Sequence, residues 1–153
     1  MDLQNKKVLV FGTGISGIAA SKLLESNGAL PVLFDGNKEL KAAAVREKLP
    51  AGSGAQIIIG ELPQEVIDTL DLVVLSPGVP TDLPVVNAMR DKGLRIWGEV
   101  ELAYEYSRGD VLAITGTNGK TTTTALLGKI MGDASESVYV VGNIGTPYTS
   151  VAL

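Results

Sequence analysis

Lys6–Gly17 reads K-K-V-L-V-F-G-T-G-I-S-G, and the fold turns on this stretch. The run Lys6–Phe11 shows no polar alternation and ends at a turn residue, which predicts a short strand buried on both faces. Gly12, Gly14 and Gly17 follow at G-x-G-x-x-G spacing. Glycines there permit a tight turn and close backbone approach, and the helix that opens behind them points its first amides at an anion. That helix is expected to run to about Asn27, with Ile15, Ile18, Ala19, Leu23 and Leu24 turned inward and Gly28 as its stop.

Outward from this unit, the same alternation of elements repeats. Pro31–Phe34 predicts a second strand, closed by Asp35, and Glu39–Lys48 a helix, with Ala51–Ala55 as a plain small-residue loop. Gln56–Gly60 reads as a third strand, Pro63–Leu70 as a short helix and Asp71–Leu75 as a fourth strand that ends in Ser76-Pro77-Gly78-Val79-Pro80. Leu83–Lys92 reads as a helix stopped by Gly93, and Leu94–Trp97 as a fifth strand. Apolar strands separated by helices imply a parallel sheet covered on both faces, wound by right-handed crossovers. Ligands of such sheets gather at the carboxyl ends of the strands.

A glycine loop, with Asp35 closing the next strand, suits a pyrophosphate on the helix N-terminus and a ribose or base edge on the acid. A nicotinamide cofactor is the default ligand, but any nucleoside diphosphate answers the same forces. Ser76-Pro77-Gly78 sits across the same crevice and reads either as a simple turn or as a point of close backbone approach.

Past Trp97, Glu99–Ser107 reads as a helix whose Glu99, Glu101 and Glu105 form a solvated face rather than a metal cluster. Val111–Ile114 predicts a strand that runs into Thr115-Gly116-Thr117-Asn118-Gly119, then Lys120-Thr121 and a helix to near Met131. Strand, glycine loop, Lys-Thr and helix make the layout of a phosphate-binding loop. The general pattern G-x-x-x-x-G-K-[ST] fails at Ile114, where it wants glycine. An ordinary turn with a chance Gly-Lys-Thr does not need two glycines in a polar loop, so a nucleoside triphosphate site is the expectation. Lys120 would reach the outer phosphates and the Thr121 hydroxyl would hold Mg²⁺. Asp133–Ser137 reads as a polar turn, Val138–Val141 as a strand and Gly142–Gly145 as a loop.

The chain of 153 residues has no cysteine and no histidine, which removes disulfides, thiolate metal sites, Ser-His triads and histidine acid–base chemistry. Its net charge of −4 carries no basic footprint for nucleic acid or an anionic membrane. No segment approaches the roughly 20 apolar residues of a membrane span, and the N-terminus lacks the apolar core of a signal peptide. A cytoplasmic location is expected. The strand and helix count divides the chain into residues 1–97, a whole Rossmann-like unit, and 98–153, the opening of a second unit cut short.

Thr115–Thr123, read as T-G-T-N-G-K-T-T-T, resembles the phosphate loop of the Mur ligase and folylpolyglutamate synthase family. That family's T-G-T-x-G-K-[ST] form accounts for Ile114. G-T-G-I-S-G at Gly12–Gly17, L-S-P-G-V-P at Leu75–Pro80, G-E-V-E-L at Gly98–Leu102 and V-G-N-I-G at Val141–Gly145 extend the resemblance over nearly the whole chain. Within the family it is to the ligases that join D-glutamate to UDP-N-acetylmuramoyl-L-alanine. The sister ligase that adds L-alanine usually has histidine where this loop has Asn118.

The resemblance implies an ATP-dependent peptide-bond ligase of peptidoglycan precursor synthesis, and so of cell-wall growth, cell shape and division. Gly14 and the amides of Ile15, Ser16 and Gly17 would carry the pyrophosphate of the UDP substrate. Asp35, Gly36 and Asn37, with Ser76, Pro77 and Gly78, would frame the uridine, and Asn143 would touch the substrate beyond the pyrophosphate. Gly116, Thr117, Asn118, Gly119, Lys120, Thr121 and Thr122 would hold ATP, with Lys120 and Thr121 acting in the transfer and Thr121 on Mg²⁺. The family's acidic metal ligand, its histidine and modified lysine, and its D-glutamate contacts would lie beyond Leu153. The chain alone is therefore expected to be inactive. No obligate protein partner is implied. The rival reading, a nicotinamide-dependent oxidoreductase or a nucleotide-sensing Rossmann module, explains Gly12–Gly17 and leaves Lys120 and Thr121 without a role.

Overall fold

The computed structural model describes residues 1–142 and 146–152. Five strands form one sheet: β1 (Lys7–Phe11), β2 (Leu30–Asp35), β3 (Gln56–Ile59), β4 (Leu72–Leu75) and β5 (Arg95–Gly98). All neighbours are parallel, in the order β3-β2-β1-β4-β5. The helices are α1 (Ile15–Ser26), α2 (Ala42–Arg46), α3 (Gln64–Ile67), α4 (Pro84–Asp91), α5 (Glu99–Tyr106) and α6 (Lys120–Ala134), followed by a 3₁₀ turn at Tyr148–Ser150. The expected α/β, Rossmann-like parallel sheet is present, with each expected strand up to Trp97 found within a residue or two. The helix expected over Glu39–Lys48 shrinks to α2, a single short turn of helix.

Strand periodicity divides the core into two layers. Val8 and Val10 of β1 join Ile18, Leu23 and Leu24 of α1, Val45 of α2 and Leu102 of α5 on one face. Leu9 and Phe11 join Val66 and Ile67 of α3 and Val86 and Met89 of α4 on the other. Both sets are almost wholly excluded from water, which is why these strands carry no polar alternation. Each such Leu or Val contributes about 1.5–3 kcal/mol of transfer free energy. The Phe11 and Phe34 rings, side by side on β1 and β2, lie with centroids 4.6 Å apart.

Two sequence expectations in this region are corrected. Ile15 does not face the core but is 81% exposed, while Gly17 and Ile18 of the same first turn of α1 are buried. Glu99 is not on a solvated face. It is 4% exposed, and its Oε1 accepts hydrogen bonds from the Thr149 backbone N–H at 2.8 Å and the Thr149 hydroxyl at 2.7 Å. Of its two companions, Glu101 caps α5 by accepting the Gly98 N–H at 2.6 Å, and Glu105 pairs with the N-terminal ammonium of Met1. Through Glu99, α5 and the Tyr148–Ser150 turn are bound together, and both pack on α1.

The apolar runs expected as strands after Trp97 form no ladder. Val111–Ile114 forms no strand, and of Val138–Val141 only Val141 makes a bridge, to Thr146. Apolar composition favours extension, but a strand needs a neighbour to satisfy its backbone, and the described residues supply none here. α6 buries none of its residues.

One ion cluster fixes where β1 and β4 begin. Asp71 accepts from the Lys7 backbone N–H at 2.9 Å and from the Lys6 ammonium at 3.0 Å. These contacts, the Lys7 amide first, hold its carboxyl below the ordinary aspartate range. The stability so gained is complete above the unfolded aspartate pKa and disappears as pH falls through the lowered one. We expect Asp71→Asn to lower the urea midpoint by more at pH 7 than at pH 2. An equal loss at both pH values would contradict this.

Candidate functional site

Register brings the first candidate residues together. Phe11 lies opposite Phe34 on one side and Leu75 on the other. The next residues along each strand, Gly12, Asp35 and Ser76, therefore meet at the carboxyl edge of β1, β2 and β4. The Gly12 N–H donates to the Phe34 carbonyl at 2.8 Å, and the Ser76 N–H to the Phe11 carbonyl at 3.0 Å.

Two of the three glycines are demanded by space. Gly12 has φ +105°, and a Cβ there would lie 2.8 Å from Ser76 Oγ. A Cβ on Gly17 would collide with the Gly12 carbonyl oxygen, so α1 can pack this close to β1 only with glycine at that position. Gly14 differs: a Cβ there would meet nothing within 4 Å. It is the N-cap of α1, and no side chain caps that end. Among the described residues none accepts from the amides of Ile15, Ser16 and Gly17, at the positive end of the helix dipole, which leaves them to an outside acceptor. Glycine at position 14 keeps the approach to them open.

Asp35 is held beside this loop. Its Oδ2 accepts from the Thr13 N–H at 3.1 Å and the Thr13 hydroxyl at 2.9 Å, and its Oδ1 accepts from the Asn37 N–H at 3.1 Å. Sequence reading found the acid and missed Thr13, whose signal was a hydroxyl between the first two glycines, one strand away from a carboxylate. Ser76 Oγ is buried against Gly12 and Gly17 and has no hydrogen-bond partner among the described residues. Ser76 and Pro77 also line a cleft of about 510 Å³ between the end of β4 and the start of α5, with Val79, Trp97 and Glu101. Gly36 and Gly78 stand in open space.

The second set lies at the start of α6. Gly116 and Gly119 have φ +150° and +75°, backbone that favours glycine, and Gly119 is the N-cap with no side chain capping it. Lys120 Nζ curls back over the loop and donates to the Gly116 carbonyl, with the Thr117 carbonyl at 3.5 Å. Thr117, Asn118, Thr121 and Thr122 are exposed around it. No group of three or more acidic, histidine or cysteine side chains among the described residues could hold a metal by itself. Thr121 would be a single ligand, completed by phosphate oxygens and water, as Mg²⁺ sites on nucleotides commonly are. Asn143 lies outside the described residues. No helix among the described residues is long and apolar enough to cross a membrane.

Residues 6–98 match the family model of the Mur ligase MurD-like N-terminal domain. The whole chain is 52% identical to the UDP-N-acetylmuramoylalanine–D-glutamate ligase of Lachnospira eligens, covering 34% of that protein. It is also 52% identical, over 99% of its length, to the ligase of the same name from Lachnoclostridium phytofermentans, covering 33% of it. Among solved structures, a murein peptide ligase from Psychrobacter arcticus 273-4 superposes with a TM-score of 0.55 at 25% identity, over 85% of this chain and 27% of that one. The chain spans about a third of the length of the curated relatives it matches. With the glycine loop, its acid and the L-S-P-G turn at one sheet edge, and the family model matched over more than half of its residues, the chain belongs to the Mur ligases, in their MurD-like group.

Proposed function

We propose that this chain serves a ligase that joins D-glutamate to UDP-N-acetylmuramoyl-L-alanine in peptidoglycan precursor synthesis, in the cytoplasm. In this reading residues 1–97 bind the UDP substrate and residues 98–153 open an ATP-binding unit of the phosphate-loop kind. The observation that carries it is the open end of α1: three uncapped amides behind Gly14, which no Cβ obstructs, next to an acid fixed to the same loop. The pyrophosphate sits on the amides of Ile15, Ser16 and Gly17, while Asp35, Gly36, Asn37 and Ser76–Gly78 surround the uridine. Asn143 belongs to the same substrate by family resemblance.

The second loop supports ATP. Open space at Gly119, and only the Asn118 carbonyl at 3.7 Å from a Cβ on Gly116, leave a cradle for phosphate oxygens. Gly116–Gly119 would wrap them, Lys120 would move its ammonium from the Gly116 carbonyl to the outer phosphates, and Thr121 and Thr122 would sit at the helix N-terminus. Thr121 would hold Mg²⁺, which would supply neutralisation of charge on the phosphates. The γ-phosphoryl group passes to the alanyl carboxylate and the D-glutamate amine displaces phosphate from that acyl phosphate. The residues here position and neutralise that transfer.

The test is calorimetric titration of the chain with UDP, UDP-N-acetylmuramoyl-L-alanine and NADH. We expect both uridine ligands to bind at least tenfold more tightly than NADH. Tighter binding of NADH would favour the oxidoreductase reading instead.

A further inference from the structure

We propose that Thr13 is a positioning residue that determines nucleotide selectivity by leaving Asp35 one acceptor in place of two. This rests on the reading of the glycine loop as a uridine-nucleotide site. Thr13 is 3% exposed, so its side chain is not itself a ligand contact, and nothing about a tight turn requires a buried hydroxyl there. The backbone N–H and the hydroxyl of Thr13 both point at the same oxygen, Oδ2 of Asp35, at 3.1 and 2.9 Å. Two donors fill the two lone-pair positions of that oxygen. On Oδ1 the Asn37 N–H takes one position, at 3.1 Å, and one remains.

The consequence is chemical. Nicotinamide dinucleotides dock a pyrophosphate on a loop of this kind and offer ribose hydroxyls to the acid after the second strand. A carboxylate with both oxygens free can take the cis-diol through two hydrogen bonds. The Asp35 carboxylate, locked by Thr13, can take one. A uridine that turns its base edge to Asp35 offers a single donor, the uracil N3–H, and loses nothing, while a dinucleotide that offers its ribose diol loses half of that clasp. The buried hydroxyl therefore acts as a filter at a distance: it touches no ligand, and it fixes the orientation and capacity of the group that does.

Thr13→Val keeps the shape of the side chain and removes the donor, and Thr13→Ser keeps the donor. Affinities for UDP and NADH are measured by calorimetry on the full chain for wild type and both variants, with melting temperature as a check on folding. In Thr13→Val the preference for UDP over NADH should fall about tenfold, the size expected for one hydrogen bond to a charged group. Thr13→Ser should retain the wild-type preference within about twofold. A Thr13→Val protein that melts like wild type and keeps its preference overturns the assignment to Thr13 and leaves the uridine reading standing. A wild-type chain that prefers NADH overturns both. If Thr13→Val fails to fold, loss of the preference in a folded Thr13→Ser protein overturns the proposal, and its retention supports it.

Discussion

In a ligase of the relatives' full length that carries this chain, Lys120→Ala should reduce kcat by two to three orders of magnitude, about the loss seen when one preorganised charge-stabilising donor is removed. Lys120 is the only side-chain cation in Thr115–Thr124, and its ammonium already lies over the loop, bonded to the Gly116 carbonyl. Charge on the transferring phosphoryl group is greater in the transition state than in bound ATP, so the KM for ATP should rise far less than kcat falls. Phosphate release coupled to D-glutamate addition is the measurement. A variant with wild-type kcat would remove the phosphate loop from the mechanism.

Glu99→Ala should be the most destabilising single change outside the hydrophobic layers. The Glu99 carboxylate is buried, and its removal strands the Thr149 N–H and hydroxyl, on a residue with no exposure at all. Each stranded donor costs about 1–3 kcal/mol, so the loss should be about 3 kcal/mol. At this chain length that corresponds to a fall in Tm of about 6–12 °C. Glu99→Gln retains one acceptor oxygen and should fall by about half as much. Thermal unfolding followed by circular dichroism decides it, and a Glu99→Ala protein melting within a degree of wild type would show the pair to be dispensable.

The sheet was legible because its signals are local. Val8–Phe11 and Leu72–Leu75 are continuous apolar runs bounded by polar or turn residues, and such runs have few places to go except a strand covered on both faces. The glycine spacing at Gly12–Gly17 likewise reports a constraint contained within six residues. Legibility fails where the deciding partner is remote. Glu99 looked like any acid on a helix, since no periodicity can show that a threonine fifty positions later needs an acceptor. Thr13 looked like a spacer between glycines because its partner lies on the next strand. Ile15 fitted the inward stripe of α1 by spacing, but it is Gly17 and Ile18 of that turn that are buried, and Ile15 faces out. Val111–Ile114 had the composition of a strand without a neighbour to pair with among the described residues.

The bond between Glu99 and Thr149 also has a consequence in time. The chain is made in order, and the sheet with its helices through α5 is complete in sequence by Tyr106. Its buried carboxylate must then wait for a partner 50 residues further on. At translation rates of roughly 5–20 residues per second the wait is about 3–10 s. Throughout that interval α5 carries an unpaired acid at the edge of an otherwise finished core, a state that disfavours its docking on α1. The nascent protein should therefore hold α5 loosely while residues 107–148 are synthesised, and lock it when Thr149 arrives. The ribosome, in effect, sets the moment at which the two ends of that segment are brought together.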